Sequence, residues 1–212
     1  MTSCTKTIIL FTRYPRPGEC KTRLLPEYSP EEAAVIHRQL TACSDKTISD
    51  YLAQYNSTTY HIYYTGASVK EMTLWFGKRK FRQQQGENLG ERMADAFSAT
   101  LQHVEQCLLI GADCPDITPD LLEKGFSALK NNDIVLGPAY DGGYYLIGLK
   151  QSLPTTQLKG LFKDIPWGSN TVLSKTLERA ENLQLQLHLL EKLHDIDTPD
   201  DLQYCNHYSY VE

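Results

Sequence analysis

Hydrophobic and polar positions along this chain fall into short unbroken apolar runs and longer stretches with helical spacing. Residues 7–12 (TIILFT) and 107–110 (CLLI) show no polar alternation, as expected of strands covered on both faces. β-rich segments at 60–64, 133–138, 144–149 and 184–190 read as further strands, and residues 79–84 as a weaker one. Between them, Ser29-Pro30-Glu31-Glu32 is a capping box with proline at the first helical position, predicting a long helix towards Gln54. Ser68 and Glu71 repeat the box and open a short helix that stops near Gly77. Leu89, Met93, Ala96, Phe97, Thr100, Leu101 and Val104 share one face of a helix beginning near Asn88. Thr118-Pro119 caps another, residues 171–181 read as helical, and Thr198-Pro199-Asp200-Asp201 opens a last one. This alternation predicts an α/β fold with a mostly parallel sheet flanked by helices. The tyrosine-rich strand at 144 lies close enough to its predecessor to run antiparallel.

Composition narrows the picture. A chain of 212 residues suits a single domain over 1–212, and 41% hydrophobic with 22% charged residues supports a real core. A net charge of −5 argues against a nucleic-acid partner, so any anion site must be local. The apolar runs are too short to span a membrane, and residues near Lys6 lack the apolar core of a secretory signal. Six cysteines without a Cys-x-x-Cys pair read as reduced thiols, and the histidines show no metal-ligand spacing. A soluble cytoplasmic protein is the expectation, compatible with a monomer or a homo-oligomer.

The candidate chemistry follows four predicted strands, at 13–23, 113, 139–143 and 195–197. Ligands in open α/β sheets bind outside the carboxyl ends of the strands. Asp113 stands where the central strand emerges, after Gly111-Ala112 and before Pro115; Thr118 is the better cap for the following helix. The loop after the first strand carries Arg13, Arg16, Lys21, Thr22 and Arg23 around Gly18, in an otherwise acidic chain. Lys21 and Arg23 suit a phosphate; the spacing is not that of a Walker A loop. Arg13 and Arg16 read equally as phosphate contacts or as solvated charges. Lys78, Arg79, Lys80 and Arg82 read as a solvated edge strand. Asp195 and Asp197, with alternate spacing, could join Asp113 around a hard divalent cation; the competing reading is that these acids serve the cap. Gly142 and Gly143 can bring backbone close to a ligand, with Asp141 contacting sugar hydroxyls, acting as a base, or simply closing an Asp-Gly turn. Trp167 either stacks on a sugar face or is a partly buried core indole.

Taken in order, Phe11-x-Arg13-x-Pro15-x-Pro17-Gly18-x-x-Lys21-Thr22-Arg23-Leu24, Gln85-Gly86-x-x-Leu89-Gly90-x-Arg92-Met93, Gly111-Ala112-Asp113-Cys114-Pro115, Gly137-Pro138-x-x-Asp141-Gly142-Gly143-Tyr144-Tyr145 and Asp195-Ile196-Asp197-Thr198-Pro199 resemble a known set. It is that of bacterial glycosyltransferase-like proteins of the nucleotide-diphospho-sugar transferase superfamily, some labelled arsenosugar-biosynthesis glycosyltransferases. The resemblance covers nearly the whole chain. It implies a glycosyltransferase-A-like (Rossmann-like) fold, a nucleotide or nucleotide sugar at the first loop, a small-molecule acceptor, and Mg2+ or Mn2+ on Asp113. On that footing Asp113, Lys21 and Asp141 are the catalytic candidates and Asp113, Asp195 and Asp197 the metal ligands. Gly86, Leu89, Gly90 and Arg92 would line the nucleoside side; Asp141 and Trp167 would face sugar or acceptor. The superfamily also contains nucleotidyltransferases, among them phospholactate guanylyltransferases, whose strand-end Asp pairs with a C-terminal acid as Asp113 and Asp197 do here. Many metal-dependent glycosyltransferases of this fold carry Asp-x-Asp instead; here the second acid, Asp116, is one place too far. The implied reaction is glycosyl transfer from a nucleotide-diphosphate sugar, with nucleotidyl transfer and release of pyrophosphate as the alternative. Non-catalytic nucleotide binding is the reading of a different class.

Overall fold

In the computed structural model, which describes residues 5–204, seven strands form one sheet. They are β1 (Lys6–Arg13), β2 (Thr58–Thr65), β3 (Phe81–Gln83), β4 (Gln106–Ile110), β5 (Ile134–Pro138), β6 (Tyr144–Lys150) and β7 (Leu187–Leu189), in spatial order β3-β2-β1-β4-β6-β5-β7. β6 runs antiparallel to both β4 and β5; every other pairing is parallel. The short β5–β6 connection dictates this reversal, because a parallel return needs a crossover of a dozen or more residues. Six strands therefore end on the same rim, where the loops after β1, β4, β5 and β7 gather.

Among the described residues, six α-helices cover the two faces: α1 (Pro30–Gln54), α2 (Val69–Phe76), α3 (Leu89–Thr100), α4 (Pro119–Ala128), α5 (Thr155–Leu161) and α6 (Val172–Asn182). Side-chain alternation along β1 divides the core. Ile8 and Leu10 join Tyr51 of α1, Met72 of α2 and Phe126 of α4, whereas Ile9 and Phe11 join Met93 and Phe97 of α3 and Leu161 of α5. The capping boxes form as expected: Ser29 accepts from the Glu32 amide, Ser68 from the Glu71 amide, and both glutamates reach back to the cap. Thr118 caps α4, so Asp113 is free of that duty. The chain between β6 and residue 171 carries no helix in the sequence reading, yet α5 forms there. It has no side-chain cap and contains Gly160; burial of Leu158 and Leu161 holds it.

A third small cluster decides the geometry of the rim. Leu24, Ala33, Ile36, Leu40 and Ile196 are fully buried together, clamping the first loop and the C-terminal loop onto α1. The Ile196 amide donates to the Asp113 carbonyl at 2.8 Å, which ties the same loop to the end of β4. These contacts bring Lys21, Asp113 and Asp197 into one place. The expected last helix is a 3-10 turn, Pro199–Tyr204, where Asp201 accepts from the amides of Asp197 and Thr198 and the Thr198 hydroxyl. Asp201 does the capping, leaving Asp197 available.

Candidate active site

Lys21 is the centre of the rim. Its backbone sits in the left-handed region (φ 49°), uncommon for a residue with a side chain, at the turn that opens a 3-10 segment, Thr22–Leu24. The side chain is only 3% exposed, and its ammonium lies 2.7 Å from Asp113 Oδ1 and 3.7 Å from Asp197 Oδ1. It also donates a hydrogen bond to the Ile196 carbonyl. Arg23 reaches Asp197 Oδ2 at 2.7 Å from a largely exposed position. Thr22 is exposed on the same turn. The expected phosphate-binding cations are thus paired with the expected metal-binding carboxylates.

Burial alone would raise the Asp113 carboxyl, but Lys21 beside it and nearby His37 hold it well below the usual carboxylate range. Its side chain is about half exposed, while Oδ1 faces inward, in ion-pair contact with Lys21 but not in aligned hydrogen-bond geometry. Asp195 behaves oppositely. Partial burial, then the charges of Asp141 and Asp113, push its carboxyl up to about 7. Lys21 opposes this only in part.

Behind these groups lies a cavity of about 270 Å³. Arg23, Asp113, Asp141, Asp195 and Asp197 line it together with an apolar wall that includes Phe11, Leu89, Met93, Ile147, Trp167 and Val172. Burial raises the thiols of Cys114, on the cavity wall, and Cys20, in the first loop, which disfavours a thiolate nucleophile at either position. The described cysteines Cys20, Cys43, Cys107 and Cys114 are all buried; Cys4 and Cys205 lie outside the described residues.

Several candidates turn inward to the protein itself. Arg13 donates to the Glu19 carbonyl at 2.9 Å, bracing its own loop, and Arg16 pairs with Glu71 at 2.7 Å. Arg92 donates to the Gly86 carbonyl at 3.0 Å. Gly90 is buried beneath Trp167: a Cβ there would meet the indole at 2.7 Å. Gly142 (φ 92°) lets its turn press on the 166–171 loop, since a Cβ would fall 2.0 Å from the Asn170 carbonyl oxygen. The close approach expected at Gly142 is made by the chain's own Asn170. Asp141 accepts from the Gly143 amide at 2.7 Å, as in the Asp-Gly-turn reading, and also lines the cavity. Trp167 is half-buried, edge-on to Tyr144, and lines the cavity as well. At the far edge of the sheet Arg79 pairs with Asp45, and Lys80 and Arg82 are exposed, in keeping with the solvated-edge reading.

The sequence reading missed His37. It is buried on α1, its Nε2 donates to the Arg13 carbonyl at 2.9 Å, and its Nδ1 lies 3.8 Å from Asp113 Oδ1. A polar residue on an apolar helix face, between Ile36 and Leu40, was the available signal.

Whether the acids suit a divalent cation is answered by what stands between them. Among the described residues no three acidic, histidine or cysteine side chains converge as a ready-made metal site. Asp113 and Asp197 nevertheless bracket a cation, the Lys21 ammonium, with hard oxygens of the kind Mg2+ and Mn2+ take. The donor chemistry fits, with Lys21 as the stand-in ion.

Residues 48–169 match the model of a family described as uncharacterized proteins conserved in bacteria, DUF2064. The chain belongs to the DUF2064 family. No curated protein matches it. Among solved structures, this DUF2064 chain is similar to a protein from Desulfovibrio desulfuricans G20 described as a candidate nucleotide-diphospho-sugar transferase. Identity is 31%, over 97% of this chain and 89% of that one, with a TM-score of 0.83. At 12% identity it shares its fold with 4-diphosphocytidyl-2C-methyl-D-erythritol synthase from Anaerococcus prevotii (TM-score 0.59, 95% of this chain, 96% of that one). At 15% identity the same holds for a Mycobacterium tuberculosis H37Rv protein in complex with manganese (TM-score 0.56, 94% and 97%). The DUF2064 fold here is thus the single-sheet α/β fold of nucleotide-diphospho-sugar transferases, as the motifs implied. No helix among its described residues is long and apolar enough to cross a membrane.

Proposed function

We propose that this protein is a transferase acting on a nucleotide-diphosphate sugar, of the arsenosugar-biosynthesis glycosyltransferase type its motifs resemble, passing the sugar to a small acceptor. One observation carries the reading: Lys21, Arg23, Asp113 and Asp197 converge at the mouth of an apolar-walled cavity on the carboxyl-end rim. The candidate nucleotide-diphospho-sugar transferase that is 31% identical supports it. Lys21 and Arg23 bind and orient the diphosphate. Asp113 and Asp197 would hold Mg2+ or Mn2+, which would supply positive charge against the negative charge developing on the leaving nucleotide. The apolar wall, with Trp167 and Leu89, excludes water from the sugar and nucleoside. Asp141 and Asp195 face the cavity, where an acceptor hydroxyl can be oriented and its proton received.

Nucleotidyl transfer is the second reading, favoured by one feature. Asp113 partners the C-terminal Asp197, whereas Asp116 is exposed and does not line the cavity, so no Asp-x-Asp-like pair forms at the strand end. The products separate the two. Nucleotide sugars or nucleoside triphosphates are incubated with the protein, Mg2+ or Mn2+ and small alcohols. Release of nucleoside diphosphate supports glycosyl transfer, and pyrophosphate supports nucleotidyl transfer. Binding with neither product leaves a nucleotide-binding protein, and activity surviving in Asp113→Ala defeats the assigned site.

A further inference from the structure

The cavity has two chemically different sides. Its charged residues stand on loops beyond the strand ends, whereas Phe11, Leu109 and Ile147 come from within β1, β4 and β6. Resting on the transferase reading above, we infer that the acceptor is a neutral alcohol with an apolar body, an alkyl chain or a single aromatic ring. The body fills the apolar side of the cavity, and the hydroxyl stays at the rim.

Three neighbouring strands supply the floor. Phe11, Leu109 and Ile147 lie on one face of the sheet, with Leu109 and Ile147 directly opposite each other across β4 and β6. Met93 of α3 and Val172 of α6 close the sides, and these five residues are between 1% and 8% exposed. Trp167 forms the remaining wall, seated on Gly90 and flanked by the rings of Tyr144 and Phe162. Hydroxyls on the lining are committed to the protein: Tyr145 donates to the Glu191 carbonyl at 2.9 Å, and Ser169 bonds with Thr171 at 2.8 Å. The Tyr144 hydroxyl is buried within the protein. A sugar laid on this floor would bury hydroxyls without partners, each a loss of about tenfold in affinity. The polar edge of a nucleobase meets the same difficulty, and a carboxylate or phosphate would lack a counter-charge there. An apolar body instead gains by leaving water. A buried apolar cavity of about 150 Å³ accepts a benzene ring. The volume here, about 270 Å³, has room for one ring and a hydroxyl-bearing arm. In the transfer, the acceptor oxygen bonds to the anomeric carbon as the carbon–diphosphate bond breaks. The nucleoside diphosphate leaves with the electron pair, and the hydroxyl proton passes to the Asp141 carboxylate on the lining.

The test titrates the full chain with the alcohols from ethanol to hexanol, 2-phenylethanol, glycerol and glucose, with and without a nucleoside diphosphate. Binding is read from the Trp167 indole resonance by NMR; Trp75, packed on the opposite face of the sheet, is the control. Affinity is expected to rise about fourfold per methylene until the cavity is full. Glycerol is expected to bind at least about tenfold more weakly than propanol, its equal in carbon number. In Val172→Phe, whose larger ring takes up the apolar side, affinity for 2-phenylethanol is expected to fall at least about tenfold. Affinity indifferent to chain length, polyols binding as tightly as alkyl alcohols, no alcohol binding in either arm, or displacement of the alcohol by the nucleotide overturns the inference. The transferase reading survives each of these results, since its own test is the product released. Alcohol binding as expected, with no product from any nucleotide sugar, removes that reading and leaves the apolar-alcohol site standing. If Val172→Phe does not fold by circular dichroism, the wild-type series decides.

Discussion

The Lys21 ammonium and the Asp113 carboxylate meet at 2.7 Å, one from the loop after β1 and the other from the end of β4. Such a pair is a stability statement as well as a binding one. The Asp113 carboxyl is depressed in the folded state, so its contribution is complete above its unfolded value and disappears as pH falls through the lower folded value. Lys21→Met should therefore shift acid unfolding to higher pH. At neutral pH the loss should be about 2 kcal/mol, less than for a fully buried pair because Asp113 is half exposed. Urea melts at several pH values check both.

Asp195 predicts the reverse sign. Its folded carboxyl is raised from 3.8 to about 7, so the unfolded chain ionises first and stability falls as pH rises through that interval. Asp195→Asn removes the penalty. Discounted for partial exposure, the variant should be about 1 kcal/mol more stable at pH 7, with the difference gone below the ordinary carboxylate range. A gain that does not change with pH in denaturant melts would contradict this origin.

Arg23 separates binding from stability. Its pair with Asp197 is largely exposed, and such pairs contribute about 0–1 kcal/mol. Arg23→Ala should leave the melting temperature nearly unchanged while weakening the binding of pyrophosphate in the presence of Mn2+ by about tenfold, the scale of one lost charge-assisted contact. Thermal melts and calorimetry on the same preparation measure the two effects.

Gly90→Ala tests the cavity wall. The added methyl would meet the Trp167 indole at 2.7 Å and the Phe162 carbonyl at 2.8 Å. An overpacked contact of this kind costs about 1–3 kcal/mol. Displacement of Trp167 should appear as a changed tryptophan emission, together with weaker ligand binding. Unaltered emission and stability would show that the seat under the indole is looser than the structure has it.

How far the site was legible in the sequence varies residue by residue. Asp113 could be read because an apolar run ended on it and Thr118 offered a better cap; Lys21 and Arg23 because basic residues crowded a loop in an acidic chain. Gly142 reads as a place where something comes close to the backbone, but only the fold shows that the Asn170 carbonyl does so, since sequence shows that backbone can be approached but not by what. His37 is not legible in the sequence, because a lone histidine on an apolar helix face carries no spacing signal.

Periodicity, capping boxes and strand-end placement were determined by the chain alone, for these depend on neighbours within one turn of helix or one pleat of strand. They yielded the parallel sheet, the reversed β6 and the rim where the polar loops gather. What only the tertiary structure decided is which charges meet which. Burial of Leu24 with Ile196 against α1 joins segments from the two ends of the chain, and so Lys21 stands between Asp113 and Asp197. Local sequence cannot encode that meeting, because the energy that enforces it comes from apolar surface removed from water at a distance along the chain.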